Sequence, residues 1–163
     1  MPLSFHLFIH FSLALLAGGL AGYYLKRLDI GLVAGFIGGF LIDLDHVLEY
    51  ILTFGWSFSL QHFLEGRQFL ISDQIHLWLH AWEYVILLVI LARIFWRKKA
   101  LGIFLIILAL ASFVHLLSDS LINNYPLKYY SLSYRQEVNF SAEKLLNPAE
   151  YLKNQKLKRE LGL

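Results

Sequence analysis

Four apolar runs, separated by short polar turns or loops, fill the first three-quarters of the chain: about Phe5 to Leu25, Ile30 to Phe54, Ile75 to Trp96 and Ala100 to Asn123. Each is close to the roughly 20 residues a helix needs to cross a hydrocarbon core of about 30 Å. The pattern predicts an all-α polytopic membrane protein: a four-transmembrane-helix bundle over residues 1–124, followed by an interfacial or solvated tail over 125–163. The first run has its basic residues, Lys26 and Arg27, after the apolar stretch, so it is expected to be a retained helix and not a signal peptide. Ala14, Gly18, Ala21 and Gly22 in that run, and Gly31, Gly35 and Gly39 in the next, recur at near four-residue spacing, which suits close helix packing. Residues 55–74 are long for a hairpin connection and are expected to cover the bundle end as a partly ordered lid. In the tail, Tyr125, Tyr129, Tyr130 and Tyr134 suit an interfacial belt. Asn147-Pro148-Ala149-Glu150 is a helix start, with an N-cap and proline at N1, predicting a surface helix over about 148–161.

Composition agrees. The chain is 58% hydrophobic and 16% charged, against about 25% charged in soluble domains. It has no cysteine, which excludes disulfides, thiolate metal sites and a cysteine nucleophile. A formal net charge of +2 gives no reason to expect nucleic acid. Lys26, Arg27, Arg93, Arg97, Lys98 and Lys99 flank two turns, which the positive-inside rule assigns to the cytoplasm of a plasma or inner membrane.

What changes the picture is where the titratable groups fall. Up-down-up-down topology brings to one level, the extracytoplasmic leaflet, His6 and His10 of the first run and Asp43, Asp45, His46 and Glu49 of the second. His76, His80 and Glu83 of the third and His115 and Asp119 of the fourth join them. Six of the seven histidines converge; the other, His62, is expected at the interface. His6/His10, His76/His80 and His115/Asp119 are i,i+4 pairs, one helical turn apart. Acids at membrane depth cost about 2.5–3.5 kcal/mol each, and metal binding, on the order of 10 kcal/mol, offsets that. The donors suit zinc first, with manganese or iron(II) as alternatives, as one or two ions. Asp45 points away from His46 and suits a second ion or an orienting role. Glu83 suits a ligand, a general base or an orienting partner. In a hydrolytic reading, Asp45 or Glu83 acts as base on a lipid-like or membrane-proximal ester or phosphoester, and Arg135 or Arg67 holds a phosphate. A bis-histidine haem protein and a metal-binding or transport protein are the alternatives.

His10, Ile42-Asp43-Leu44-Asp45-His46, Leu79-His80-Ala81-Trp82-Glu83 and His115-Leu116-Leu117-Ser118-Asp119 together resemble the YdjM-like family of membrane-bound metal-dependent hydrolases. Ile42 stands where that family usually has proline, and Ala81 where many members have serine. Tyr134-Arg135 is similar to a tyrosine-arginine element of its closer members. The resemblance implies a metal site of His10, Asp43, Asp45, His46, His80, His115 and Asp119. The His-x-x-x-Asp element is also similar to one in zinc-dependent phospholipase C and related nucleases.

Overall fold

The computed structural model describes residues 3–163, with side chains from residue 8 onward. Helices dominate it, and among the described residues the sole β-type pairing is an isolated bridge between Gln74 and Ser141. Helix α1 (Leu3–Tyr24) turns at Lys26, whose φ of 56° lies in the left-handed region, into α2 (Leu28–Gly39). The glycine spacing acts as expected. A Cβ on Gly35 would lie 2.7 Å from the Ala14 carbonyl oxygen, and one on Gly22 would lie 2.7 Å from Gly31 Cα. The two backbones touch, and a side chain at either position would push them apart.

The second apolar run then breaks. A single 3-10 turn, Leu41–Asp43, separates α2 from α3 (Leu44–Phe54). In that turn the Asp43 amide donates to the Phe40 carbonyl at 3.2 Å, where a continuous helix would have used the carbonyl of Gly39. The Gly39 carbonyl is thereby released for another donor. Gly55, at φ 67°, ends α3. The expected lid is two short helices, α4 (Leu60–Leu64), capped by the Ser59 hydroxyl, and α5 (Arg67–Ser72).

The third apolar run departs from expectation. Only α6 (Trp82–Ile94) is an α-helix, and the segment 73–81 before it is irregular, with Asp73 and Leu77 at positive φ. His76 and His80 therefore do not sit one helical turn apart. The cause lies mostly far along the chain: Asp73-Gln74 offers turn chemistry, but Asp45 and Arg135 supply hydrogen bonds that a helix would have supplied, and helical periodicity gives no warning. At 13 residues, α6 reaches about 20 Å, short of a full crossing.

Helix α7 (Lys99–Asn123) is the centre of the bundle and packs against α1, α2 and α6. Asn124, left-handed at φ 54°, ends it. Two stretches, Leu28–Phe54 and Lys99–Asn123, are long and apolar enough to cross a membrane; the described apolar part of α1, Phe8–Tyr24, is shorter. In the tail, a 3-10 turn Leu127–Tyr130 leads to α8 (Leu132–Glu137), α9 (Ala142–Leu145) and α10 (Pro148–Glu160). The last starts where the sequence says, with Asn147 Oδ1 accepting from the Glu150 amide at 2.9 Å. Lys158 Nζ, 2.6 Å from Asp73 Oδ2, ties α10 back to the irregular segment.

Candidate metal centre

His80, from the irregular segment, and His115, from the buried face of α7, meet with their Nε2 atoms 3.2 Å apart. Asp43, at the end of the 3-10 turn, brings Oδ1 to 3.3 Å from His80 Nε2 and 3.5 Å from His115 Nε2. Asp119, one turn beyond His115, brings Oδ2 to 3.4 Å and 3.3 Å from the same two nitrogens. Two triangles thus share the His80–His115 edge. Ligands about 2.0–2.2 Å from a tetrahedral ion are separated by about 3.3–3.6 Å, so each triangle has the dimensions of one face of such a site.

The remaining hydrogen bonds fix the tautomers. His80 Nδ1–H donates to Asp45 Oδ2 at 2.9 Å, and the Leu79 amide donates to the same oxygen at 2.9 Å. His115 Nδ1–H donates to the Gly39 carbonyl released by the helix break. When both rings are neutral with Nδ1 protonated, both Nε2 atoms present lone pairs to one another and to two carboxylates. A proton or a divalent cation held between them relieves the repulsion. Asp43 Oδ2 is, in addition, buried with no hydrogen-bond partner. The residues fit a divalent ion.

Among the described residues, three overlapping trios each place one donor atom per residue within 4.8 Å of the others: His80, His115 and Asp119; His10, Asp43 and His115; and Asp43, His46 and His80. His10 is buried, with Nδ1 3.0 Å from His115 Nδ1 and Nε2 3.2 Å from Asp119 Oδ1. His46 lies at the edge, with Nε2 3.9 Å from Asp43 Oδ1 and a side chain one-third (33%) exposed. One ion or two can be served by these donors.

Other expected residues stand elsewhere. Asp45 belongs to none of the trios; its place is beside His80 Nδ1. Glu83 is turned to the tail, accepting from Ser131 Oγ at 2.7 Å, from the Leu132 and Ser133 amides at 3.1 Å each and from Ser133 Oγ at 2.9 Å. Both its oxygens are used in holding the start of α8, so it is not set up as a base. His76 pairs with Glu49, Nδ1 to Oε1 2.7 Å, outside the trios. Arg67 pairs with Glu65 at 2.6 Å. Arg135 spends its guanidinium on backbone carbonyls of the segment that carries His80. Arg67 is not among the residues that line the cavity beside the cluster, and Arg135 lines it with both Nη atoms engaged by carbonyls. His6 lies outside the residues whose side chains are described.

The cluster opens into a cavity of about 610 Å³. His46, His80 and Asp119 line it, together with Phe69 of α5 and Tyr129 and Tyr130 of the tail. Tyr130 is buried and not in an interfacial belt. Burial, reinforced by the Asp119 carboxylate, pushes its phenol well above the usual range, so it remains a hydroxyl donor at neutral pH. Tyr130 and the Gly39 carbonyl are the contributors that sequence reasoning missed. The first was masked by neighbouring tyrosines that look like a belt, and the second is backbone and leaves no residue-type signal. The chain matches no protein-family model, no curated protein and no solved structure.

Proposed function

We propose that this chain is a membrane-embedded, metal-dependent hydrolase acting on an ester or phosphoester of a lipid-like or membrane-proximal substrate. The supporting observation is the convergence of two imidazole Nε2 atoms and two carboxylates, with Nε2–O distances of 3.3–3.5 Å, beside a cavity that His80 and Asp119 line. A divalent ion at such a centre supplies Lewis-acid polarisation of the scissile carbonyl or phosphoryl oxygen and makes water acidic enough to attack near neutral pH. His80, His115, Asp43 and Asp119 hold the ion; Asp45 and the Gly39 carbonyl orient the imidazoles. His46, at the cavity wall, accepts the proton of the attacking water and returns it to the leaving oxygen as the C–O or P–O bond breaks. The Tyr130 hydroxyl donates to a substrate oxygen. The order of His10, Asp43-x-Asp45-His46, His80 and His115-x-x-x-Asp119 supports the same reading through its resemblance to the YdjM-like hydrolases.

In the membrane, α1, α2 with α3, and α7 cross, and the third segment enters as an irregular stretch plus α6, completing a four-segment bundle with its site in the extracytoplasmic leaflet. Non-helical backbone at that depth is tolerated where protein covers it. A haem between His80 and His115 is disfavoured, since no macrocycle passes between nitrogens 3.2 Å apart.

Elemental analysis of detergent-purified protein is expected to find one or two divalent ions per chain in the wild type and a loss of metal in His115→Ala. A panel of carboxylic esters and phosphoesters of lipids is expected to reveal a chelator-sensitive hydrolysis. A metal-free wild type, or a metal-loaded one inert across the panel, defeats the proposal.

A further inference from the structure

His80 is presented by backbone that has no helix to hold it. Residues 73–81 run through a helical bundle, and Leu77 has a φ of 40°. Carbonyls in such a stretch need donors, above all where water is scarce. One side chain serves three of them: Arg135 Nη1 donates to the His76 carbonyl at 2.6 Å and the Leu77 carbonyl at 2.7 Å, and Nη2 donates to the carbonyl of His80 itself. Arg135 is 2% exposed. Burial pulls its guanidinium below the usual range, and the negative charges of Asp45 and Glu83 oppose that.

Arg135 is in turn held by Glu83. The four hydrogen bonds that Glu83 accepts from Ser131, Leu132 and Ser133 fix the first turn of α8, the helix that carries Arg135. A closed path results: from His80 three residues along to Glu83, across to α8, and back through Arg135 to the His80 carbonyl. Asp45 grips the same stretch from the other side, at the Leu79 amide and the His80 ring.

We propose that Arg135, set in place by Glu83, is a positioning residue for the ligand His80, which makes the C-terminal tail an integral part of the metal centre. This rests on the metal-centre reading of the cluster and not on hydrolysis. A lysine does not replace this arginine, because a planar fork of donors reaches three carbonyls where a single ammonium on a flexible stem does not.

Cobalt(II) titration of the detergent-purified full chain tests it, reading both affinity and the visible spectrum of the bound ion. Arg135→Lys and Arg135→Gln are expected to weaken cobalt binding about 10–100-fold, as loss of an outer partner typically does. They are also expected to shift the visible bands, with helical circular dichroism and elution volume unchanged. The Ser131→Ala/Ser133→Ala double variant leaves the two amides on Glu83; it is expected to move both readouts the same way by a smaller factor, and it decides the matter should the Arg135 variants not fold. Wild-type affinity and an unshifted spectrum in folded Arg135→Lys, or in the double variant where it decides, overturn the proposal while leaving the metal centre intact. A wild type that takes up no cobalt instead overturns the metal-centre reading itself.

Discussion

Two imidazoles that have already committed their Nδ1 protons do not hold their Nε2 atoms 3.2 Å apart for mutual benefit. On the metal-centre reading an ion draws both lone pairs, and the residues behind the rings set how well they aim. Asp45 accepts from the His80 ring and from the Leu79 amide, so Asp45→Asn keeps the shape but gives up the carboxylate's charge. Its metal affinity is expected to fall about 10–100-fold in a competition titration, with the fold retained. Tyr130 makes a second residue-scale prediction. Its phenol titrates well above the ordinary value in the folded chain, whereas the unfolded chain ionises near pH 10. Stability from this residue is therefore complete below about pH 10 and is lost as pH rises beyond it. Thermal melts over that range should show a shallower alkaline decline in Tyr130→Phe than in the wild type.

Among the elements, the α1–α2 hairpin depends on its missing side chains. Leucine at Gly35 would drive atoms into the Ala14 carbonyl and the Gly18 backbone, where a Cβ alone already lies at 2.7 Å and 2.8 Å. Gly35→Leu is expected to destabilise the bundle by about 1–3 kcal/mol or more, read as a lowered melting temperature in detergent. This hairpin was legible in the sequence because its four-residue spacing is a property of the residues themselves. The α10 start was legible for the same reason, through Asn147 and Pro148. The Asp43, His46, His80, His115 and Asp119 cluster was also within reach, since it needed only alternating segments and a shared depth. The irregular segment 73–81 was not. Its conformation is imposed by Asp45 and Arg135, 35 positions before His80 and 55 after it, and an apolar run gives no hint of partners so far along the chain. Of the three roles the sequence left open for Glu83 (ligand, base or orienting partner), its contacts with the start of α8 match the last.

The molecule as a whole is closed at its polar end by segments that a hydropathy reading treats as appendages. The lid helices and the tail supply most of the cavity wall, and Lys158 with Gln155 fastens the last helix to Asp73. On the metal-centre reading, ion binding and tertiary stability are therefore expected to be coupled. A chelator is expected to lower the melting temperature of the metal-loaded protein by an amount that grows with prior saturation, corresponding to about 4 kcal/mol at a thousandfold excess over Kd. Calorimetry with and without added zinc measures it.

The pair of aspartates in the cluster has one more consequence. Asp43 and Asp119 bring two negative charges to a place where water is largely excluded, and the charge of Asp45 is already opposed by Arg135. A single dipositive ion matches the charge of these two aspartates. Sodium or potassium leaves it one charge short, and a trivalent ion one charge over, each at the steep cost of an uncompensated charge in a low-dielectric medium. On the metal-centre reading, the cluster is therefore expected to select ions by valence before radius, which competition titrations with monovalent, divalent and trivalent ions check.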